Sequence, residues 1–321
     1  IPPEYRVTRV YTSTQTVSSD YFGGTFNLKD AINSGTQYVQ FMGHGGGRIW
    51  ADYNLFNFND VATLNNQVYP VVLSLACYCS AFDTNGMASI SEALVLQPGK
   101  GAIGTAGFTG LGFRDHDEDW GLAYCEALFK HNFDNIGLAN IYALARFYST
   151  TYSPAARYAL INGFAYMGDP LIKLRKPIKD IPVSANSYVL NPGDTLYVNA
   201  DFPSGINAAR LFIMKPSGKI VNVPYDLPVY PDGHFTASYV NPDQTTDNYF
   251  RKIMIAGYSP SDEFVGISQY SVGRPNIVHH SFIPAEPAWS DSVLFTAKVF
   301  SPLPVQNIYC KVRTDSTSQV I

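Results

Sequence analysis

Near residue 175 the sequence changes texture, and that change constrains the fold more than any single motif. Before it, apolar segments alternate between strand and helix patterning. YRVTRVYT (Tyr5–Thr12) alternates as a strand, LKDAINSG (Leu28–Gly35) has the pattern of a short helix closed by glycine, and YVQFMG (Tyr38–Gly43) is a strand. FNDVATLNNQ (Phe58–Gln67) has a helical pattern capped by Asn57 or Asn59, and VVLSLAC (Val71–Cys77) is apolar on both faces, the mark of a strand buried inside a parallel sheet. A helix ending at Pro98 and Gly99 leads into the strand GAIGTAG (Gly101–Gly107). Helical periodicity over Trp120–Asn132 and Ile136–Thr150 precedes an extended run, Gly163–Leu174. Alternation on this scale predicts an α/β domain with a parallel sheet covered on both faces.

After RKPIKDIP (Arg175–Pro182) the helical period disappears. Short alternating runs such as DTLYVNADF, AARLFIM, HFTASYV and KIMIAGYS are punctuated by NPG, PSG and PDG, which predicts a β-sandwich. A weak internal repeat agrees: DTLYVNADFP from Asp194 resembles DSVLFTAKVFSP from Asp291. A length of 321 residues also argues for more than one domain. The expected organisation is an α/β domain over 1–177, a sandwich over 178–273 and part of a second β domain over 274–321.

Composition narrows the function. With 46% hydrophobic and 15% charged residues the chain can bury sizeable cores, and a net charge of −4 offers no basic field for phosphates, so nucleic acid is not an expected partner. No apolar run approaches the roughly 20 residues of a membrane span. IPPEYRV at the front lacks the charged and apolar regions of an export signal, so any such signal is expected to lie outside this sequence. The 4 cysteines are too few for a disulfide framework, and Cys77 and Cys79 would share one face of an extended strand, so free thiols are expected.

Two apolar strands run straight into reactive residues: YVQFMG into His44, and VVLSLA into Cys77. In an open α/β sheet the carboxyl ends of strands carry the chemistry, and strands joined by one short helix are expected to be neighbours. A thiolate nucleophile beside an imidazole that accepts and returns a proton suits acyl transfer. Gly45, Gly46 and Gly47 clear space after His44, and N–H groups there and at Cys77 would serve an oxyanion. Other readings exist for the same residues. A cysteine ending a core strand can be a small buried hydrophobe, HGGG is also an esterase oxyanion motif but lacks a G-x-S-x-G partner here, and Cys77, Cys79 and His44 make a poor tetrahedral zinc set.

A strand ending in His-Gly, a helix, and a neighbouring strand ending in Ala-Cys resembles the caspase-like cysteine peptidases. Within that group GHGG (Gly43–Gly46), WADYNLF (Trp50–Phe56), PVVLSLAC ending at Cys77, SEALVLQPGKGAIG (Ser91–Gly104) and GDPLIKL (Gly168–Leu174) resemble the gingipain family. The resemblance covers roughly residues 5 to 175. It implies a caspase-like domain followed by Ig-like domains, and peptide-bond hydrolysis through a thioester with no required cofactor. It also implies His44 as general acid/base, Cys77 as nucleophile, and the N–H groups of Gly45 and Cys77 as oxyanion donors. It further implies a further strand and helix before Tyr5, carrying the acidic residue that selects a basic side chain, so that an N-terminal fragment would be a partner. The family includes the signal peptidase, or sortase, of the bacterial type IX secretion system. It therefore implies a protein or peptide substrate, outer-membrane secretion components as further partners, and an extracellular, periplasmic or outer-membrane location. The rival reading is an inactive relative that serves as a surface binding or structural protein.

Weaker signals complete the picture. Asp115, Asp117, Glu118 and Asp119, expected in a loop bordering the cleft, could bind Ca²⁺ or a basic substrate, or could be a solvated lead into a helix. Cys79, Cys125 and Cys310 have the character of structural residues, and the His279–His280 pair that of a linker.

Overall fold

The computed structural model describes all residues except 14–18, 53–54, 84–85, 152, 180, 243–249, 261, 275, 284–293, 302–310, 315–316 and 321. Two compact units divide between Lys176 and Pro177.

The first unit contains strands β1 (Tyr38–Met42), β2 (Ile49–Trp50), β3 (Phe56–Asn57), β4 (Val71–Leu75), β5 (Gly104–Phe108) and β6 (Phe164–Gly168). Its helices are α1 (Thr25–Asn33), α2 (Phe58–Val61), α3 (Ile90–Leu96), α4 (Arg114–Cys125), α5 (Ile136–Thr150) and α6 (Pro154–Asn162). The sheet runs β1-β4-β5-β6; β1, β4 and β5 are parallel, whereas β6 runs antiparallel to β5. The α/β expectation holds, and the all-parallel sheet is corrected at that edge.

Alternation on β4 explains why both faces are covered. Val71, Leu73 and Leu75 pack with Trp120, Tyr124, Ala143 and Phe147 of α4 and α5. Val72 and the following Ala76 face Ile32, Val61, Ile90 and Leu94 of α1, α2 and α3. Every residue of β4 is buried, the polar Ser74 included.

Several local expectations fail for identifiable reasons. Tyr5–Thr12 forms no strand; its only ladder contact is a bridge from Tyr11 to Phe22, while Tyr5 stacks edge-on with Phe129 at 4.9 Å. Alternation suits a strand but cannot supply a partner. The helix expected over Phe58–Gln67 stops at Val61, because buried Asn66 donates to Val68 O at 2.8 Å and Gly101 O at 2.9 Å and accepts from Gly101 N–H at 3.0 Å. The helix expected from Trp120 begins at Arg114, and the chain closes it with a π turn over Glu126–Lys130. Helix α6 was signalled by Ser153-Pro154, a cap followed by proline at the first helical position, with Ser153 Oγ accepting from Ala156 N–H at 3.3 Å.

Among the described residues of the second unit every regular element is a strand. It contains β7 (Ile178–Lys179), β8 (Val183–Ala185), β9 (Val189–Leu190), β10 (Thr195–Asp201), β11 (Ala208–Met214), β12 (Leu227–Pro228), β13 (His234–Val240), β14 (Phe250–Tyr258) and β15 (Glu263–Val272). One sheet is ordered β13-β10-β8; the other is ordered β12-β11-β14-β15-β7, with β9 also on β15. Leu196, Val198 and Phe235 of the first sheet share a core with Leu211, Ile213, Ile253, Ile255 and Tyr270 of the second. Two hairpin sheets follow, β16 (Asn276–Ile283) with β17 (Leu294–Phe300) and β18 (Lys311–Thr314) with β19 (Thr317–Val320). His279 and His280 fall in β16, not in a linker. No helix among the described residues is long and apolar enough to cross a membrane.

Candidate active site

His44 follows β1 and Cys77 follows β4, two adjacent parallel strands. The β1–β4 ladder ends at the pair Met42↔Leu75, two residues before His44 and Cys77. Neighbouring strands lie about 4.8 Å apart. The β4–β5 ladder ends at Ser74↔Gly107, three residues before Cys77 and Gly110. All three positions lie beyond the carboxyl end of the sheet.

Close contact between the two segments is enforced at Gly45. A Cβ there would lie 2.8 Å from Cys77 O, 2.8 Å from Ala76 Cβ and 2.7 Å from Cys79 Sγ, distances that leave room for hydrogen alone. The first turn of α3 ties the same two segments: Ile90 N–H donates to Gly47 O at 2.8 Å, and Ser91 N–H donates to Cys79 O at 3.2 Å. Helix N-termini have spare N–H groups, and here the carbonyls of both segments use them. Beneath, buried Ser80 and Ser91 hydroxyls are 2.9 Å apart.

The cysteines differ sharply. β4 ends at Leu75, so Cys77 and Cys79 do not share a strand face as expected; they lie in a turn around Tyr78, whose φ of 61° is left-handed. Tyr78 N–H donates to Gly110 O at 2.7 Å and Ser80 N–H to Phe108 O at 3.0 Å, which bends the chain toward the exit of β5. Cys79 is fully buried, and that burial first, then the neighbouring Cys77, pushes its thiol up to about 12. Burial also raises the Cys125 thiol. Cys77 is half-buried, and its Sγ accepts from Gly112 N–H at 3.3 Å. Cys310 lies outside the described residues.

His44 sits in a contrasting environment. Its side chain is 81% exposed, and its Nε2 lies 3.9 Å from Oδ2 of Asp52, itself 64% exposed. The loop is shaped by Ala51 N–H donating to His44 O at 2.7 Å and Gly46 N–H donating to Ile49 O at 3.3 Å. Gly46 is therefore already engaged, whereas the N–H groups of Gly45 and Cys77 have no hydrogen-bond partner among the described residues. Asp52 is the residue that sequence reasoning passed over, although it lies within WADYNLF. Ala51 at φ 65° and Tyr78 each adjoin a candidate residue, and left-handed non-glycine backbone clusters at functional sites.

Asp115, Asp117, Glu118 and Asp119 stand on the first turns of α4, not in a loop. Asp115, Glu118 and Asp119, three and four residues apart, share one face of the helix, and Asp117 turns to the other. Among the described residues no group of three or more His, Cys, Asp or Glu side chains could hold a metal ion. Asp117 has a different task. It is buried, accepts from Phe113 N–H at 3.3 Å, and packs so closely on Gly112 that a Cβ there would meet its Oδ2 at 2.9 Å. Burial raises its carboxyl to about 6. It thus braces the loop whose Gly112 touches Cys77 Sγ.

Comparisons with known proteins give one family match and several structural likenesses. The profile of peptidase family C25 matches residues 1–175, more than half of the chain. Among solved structures, the complex of the pro- and mature domains of RgpB from Porphyromonas gingivalis matches at TM-score 0.44 and 20% identity, over 78% of this chain and 57% of that one. The Arg-specific cysteine proteinase gingipain R (RGPB) matches at TM-score 0.42 and 20% identity, over 78% and 56%. The chain thus spans little more than half the length of those proteins. A comparison with curated proteins gave no match. On the family match across its α/β unit, the chain belongs to peptidase family C25, the gingipain family.

Proposed function

We propose that the α/β unit is a cysteine endopeptidase in which Cys77 is the nucleophile and His44 the general acid/base. The observation that supports this reading is that His44 and Cys77 each follow, by two residues, the last pair Met42↔Leu75 of two adjacent parallel strands, with Gly45 packed against Cys77 O. His44 takes the Cys77 proton as Sγ attacks the scissile carbonyl carbon. The resulting oxyanion is received by the N–H groups of Gly45 and Cys77, donors that spend nothing on other partners among the described residues. The imidazolium then protonates the leaving amine as the C–N bond breaks, leaving a thioester. Water, deprotonated by His44, attacks that thioester, and the thiol is regenerated with release of the acid. Asp52, with its Oδ2 3.9 Å from His44 Nε2, orients the imidazole. No cofactor enters these steps.

Family membership supports a protein or peptide substrate and a site of action outside the cytoplasm: extracellular, periplasmic or on an outer-membrane surface. Removal of C-terminal signals in type IX secretion, alongside outer-membrane secretion components, is the narrower role within that reading. The second unit is proposed to be Ig-like, a reading supported by a three-stranded sheet, β13-β10-β8, facing a sheet led by β11-β14-β15 across one core.

Iodoacetamide labelling of the native chain at near-neutral pH, with mass spectrometry locating the modified thiol, tests the dyad. Fast modification of Cys77 over Cys79 and Cys125 that slows at least about tenfold in His44→Ala is the expected result. Slow labelling indifferent to His44 would favour the inactive, surface-binding relative instead.

A further inference from the structure

Gly112 meets the sulfur of Cys77 with both of its backbone polar groups. Its N–H donates to Cys77 Sγ at 3.3 Å, and its carbonyl oxygen lies 3.6 Å from Sγ, where a neutral thiol donates in return. One residue can therefore hold the thiol in either state, through the carbonyl when protonated and through the N–H when ionised. Gly112 belongs to the stretch between β5 and α4, which has no helix or strand of its own to fix that N–H in place. Resting on the peptidase reading, we propose that the Gly112 N–H stabilises the Cys77 thiolate and that Asp117 is the residue that positions this donor.

The stretch is tied down at both ends. At its start Thr109 N–H donates to Gly163 O at 2.7 Å. At its far end Asp117 Oδ1 accepts from Phe113 N–H at 3.3 Å. The same carboxylate is also the wall behind Gly112: the three heavy atoms nearest to a Cβ built there all belong to Asp117, with Oδ2 at 2.9 Å and Oδ1 at 3.0 Å. Asp117 is itself fixed, being buried and on the first turns of α4, with its N–H donating to Phe113 O at 2.8 Å. A rigid helix thus sets the position of residues 112 and 113 through one side chain, and with it the N–H that faces Sγ.

Charge shows that this help is geometric. Burial raises the Asp117 carboxyl, and the Phe113 N–H opposes that rise. When ionised, the carboxylate disfavours the neighbouring thiolate of Cys79, and a negative charge behind Gly112 would likewise oppose a thiolate at Cys77. The positioning and the charge of Asp117 therefore act on Cys77 with opposite signs. Asparagine keeps the acceptor and the wall without the charge, whereas alanine loses all three.

The test is the rate at which iodoacetamide alkylates Cys77 in the full chain, followed by mass spectrometry from about pH 6 to about pH 9. Asp117→Ala is expected to slow alkylation about tenfold at near-neutral pH, the worth of one hydrogen bond to a charged group, and to move the rise of rate with pH upward. Asp117→Asn is expected to label at least as fast as wild type. A mere change in access to the thiol would scale the rate alike at every pH. Urea melts check folding. Should Asp117→Ala not fold, Gly112→Ala decides in its place, because its Cβ collides with the carboxylate and should slow alkylation in the same pH-dependent way. The inference is overturned, with the peptidase reading left standing, if His44→Ala slows labelling but alanine and asparagine at 117 act alike, whether both faster, both slower or both unchanged. A slowing by alanine that is uniform across pH overturns it too. If labelling ignores His44, the peptidase reading itself fails and the inference falls with it.

Discussion

The two halves of the candidate dyad are held in opposite ways. Cys77 sits in a turn locked by Gly110 O, Phe108 O, Gly112 N–H and the first turn of α3. His44 projects from an exposed loop with one carboxylate, Asp52, within 3.9 Å. Cys77 is thus positioned by backbone groups, which few substitutions can remove, and His44 by a side chain, which a single substitution can. Damage near Cys77 should appear as lost stability together with lost reactivity. Damage near His44 should appear as lost reactivity alone.

Gly45→Ala should break that comparison most severely, because its methyl group would collide with both segments at once. Overpacking of this kind costs about 1–3 kcal/mol, and the new Cβ would also displace a proposed oxyanion donor. Urea melts and Cys77 alkylation should fall together; a stable, reactive variant would show that the two segments are less tightly joined. Asp52→Asn should separate the two properties. Alkylation or cleavage is expected to slow about tenfold, part of the roughly 10²–10⁴ available to general acid–base catalysis, while the urea midpoint stays unchanged.

Asp117 gives a pH-dependent test on the Cys77 side. Burial lifts its carboxyl from an ordinary 3.8 to about 6, so folding favours the protonated form. Its contribution to stability is complete below the unfolded value and is lost as pH rises through about 6. Asp117→Asn, which resembles the neutral acid, should therefore raise stability relative to wild type more at about pH 7.5 than at about pH 4, measured by urea unfolding at each pH. A larger gain at the lower pH would contradict the burial argument. Ala51→Gly should have the smallest effect. It relieves a left-handed alanine beside Asp52 and should stabilise by about 1 kcal/mol or less. If reactivity also falls, the strained backbone helps to aim the His44 loop.

Legibility in the sequence followed locality. The runs at Tyr38–Met42 and Val71–Leu75 were readable because each is apolar, short and ended by small residues, and the helix Ile136–Thr150 carries its own period and its cap at Asn135. Tyr5–Thr12 and Phe58–Gln67 misled because their outcome depended on partners far along the chain: a missing ladder in one case, and the Asn66 latch to Gly101 in the other. The acidic group at Asp115–Asp119 misled differently. Composition gave its charge, but only the helical geometry of α4 shows that Asp117 turns inward.

By itself the sequence determined the change from α/β to β patterning near residue 175, the covered central strand, and the presence of a histidine and a cysteine just beyond strand ends. These follow from periodicity and composition, which act over a few residues. Only the tertiary structure decided that His44 and Cys77 follow adjacent parallel strands, that Gly45 must lack a side chain, that Asp52 neighbours His44, and that Tyr78, Leu111, Phe113 and Ala159 enclose one cleft. Each of these joins residues distant in the chain, and strand pairing and close packing, not local preference, choose which distant residues meet.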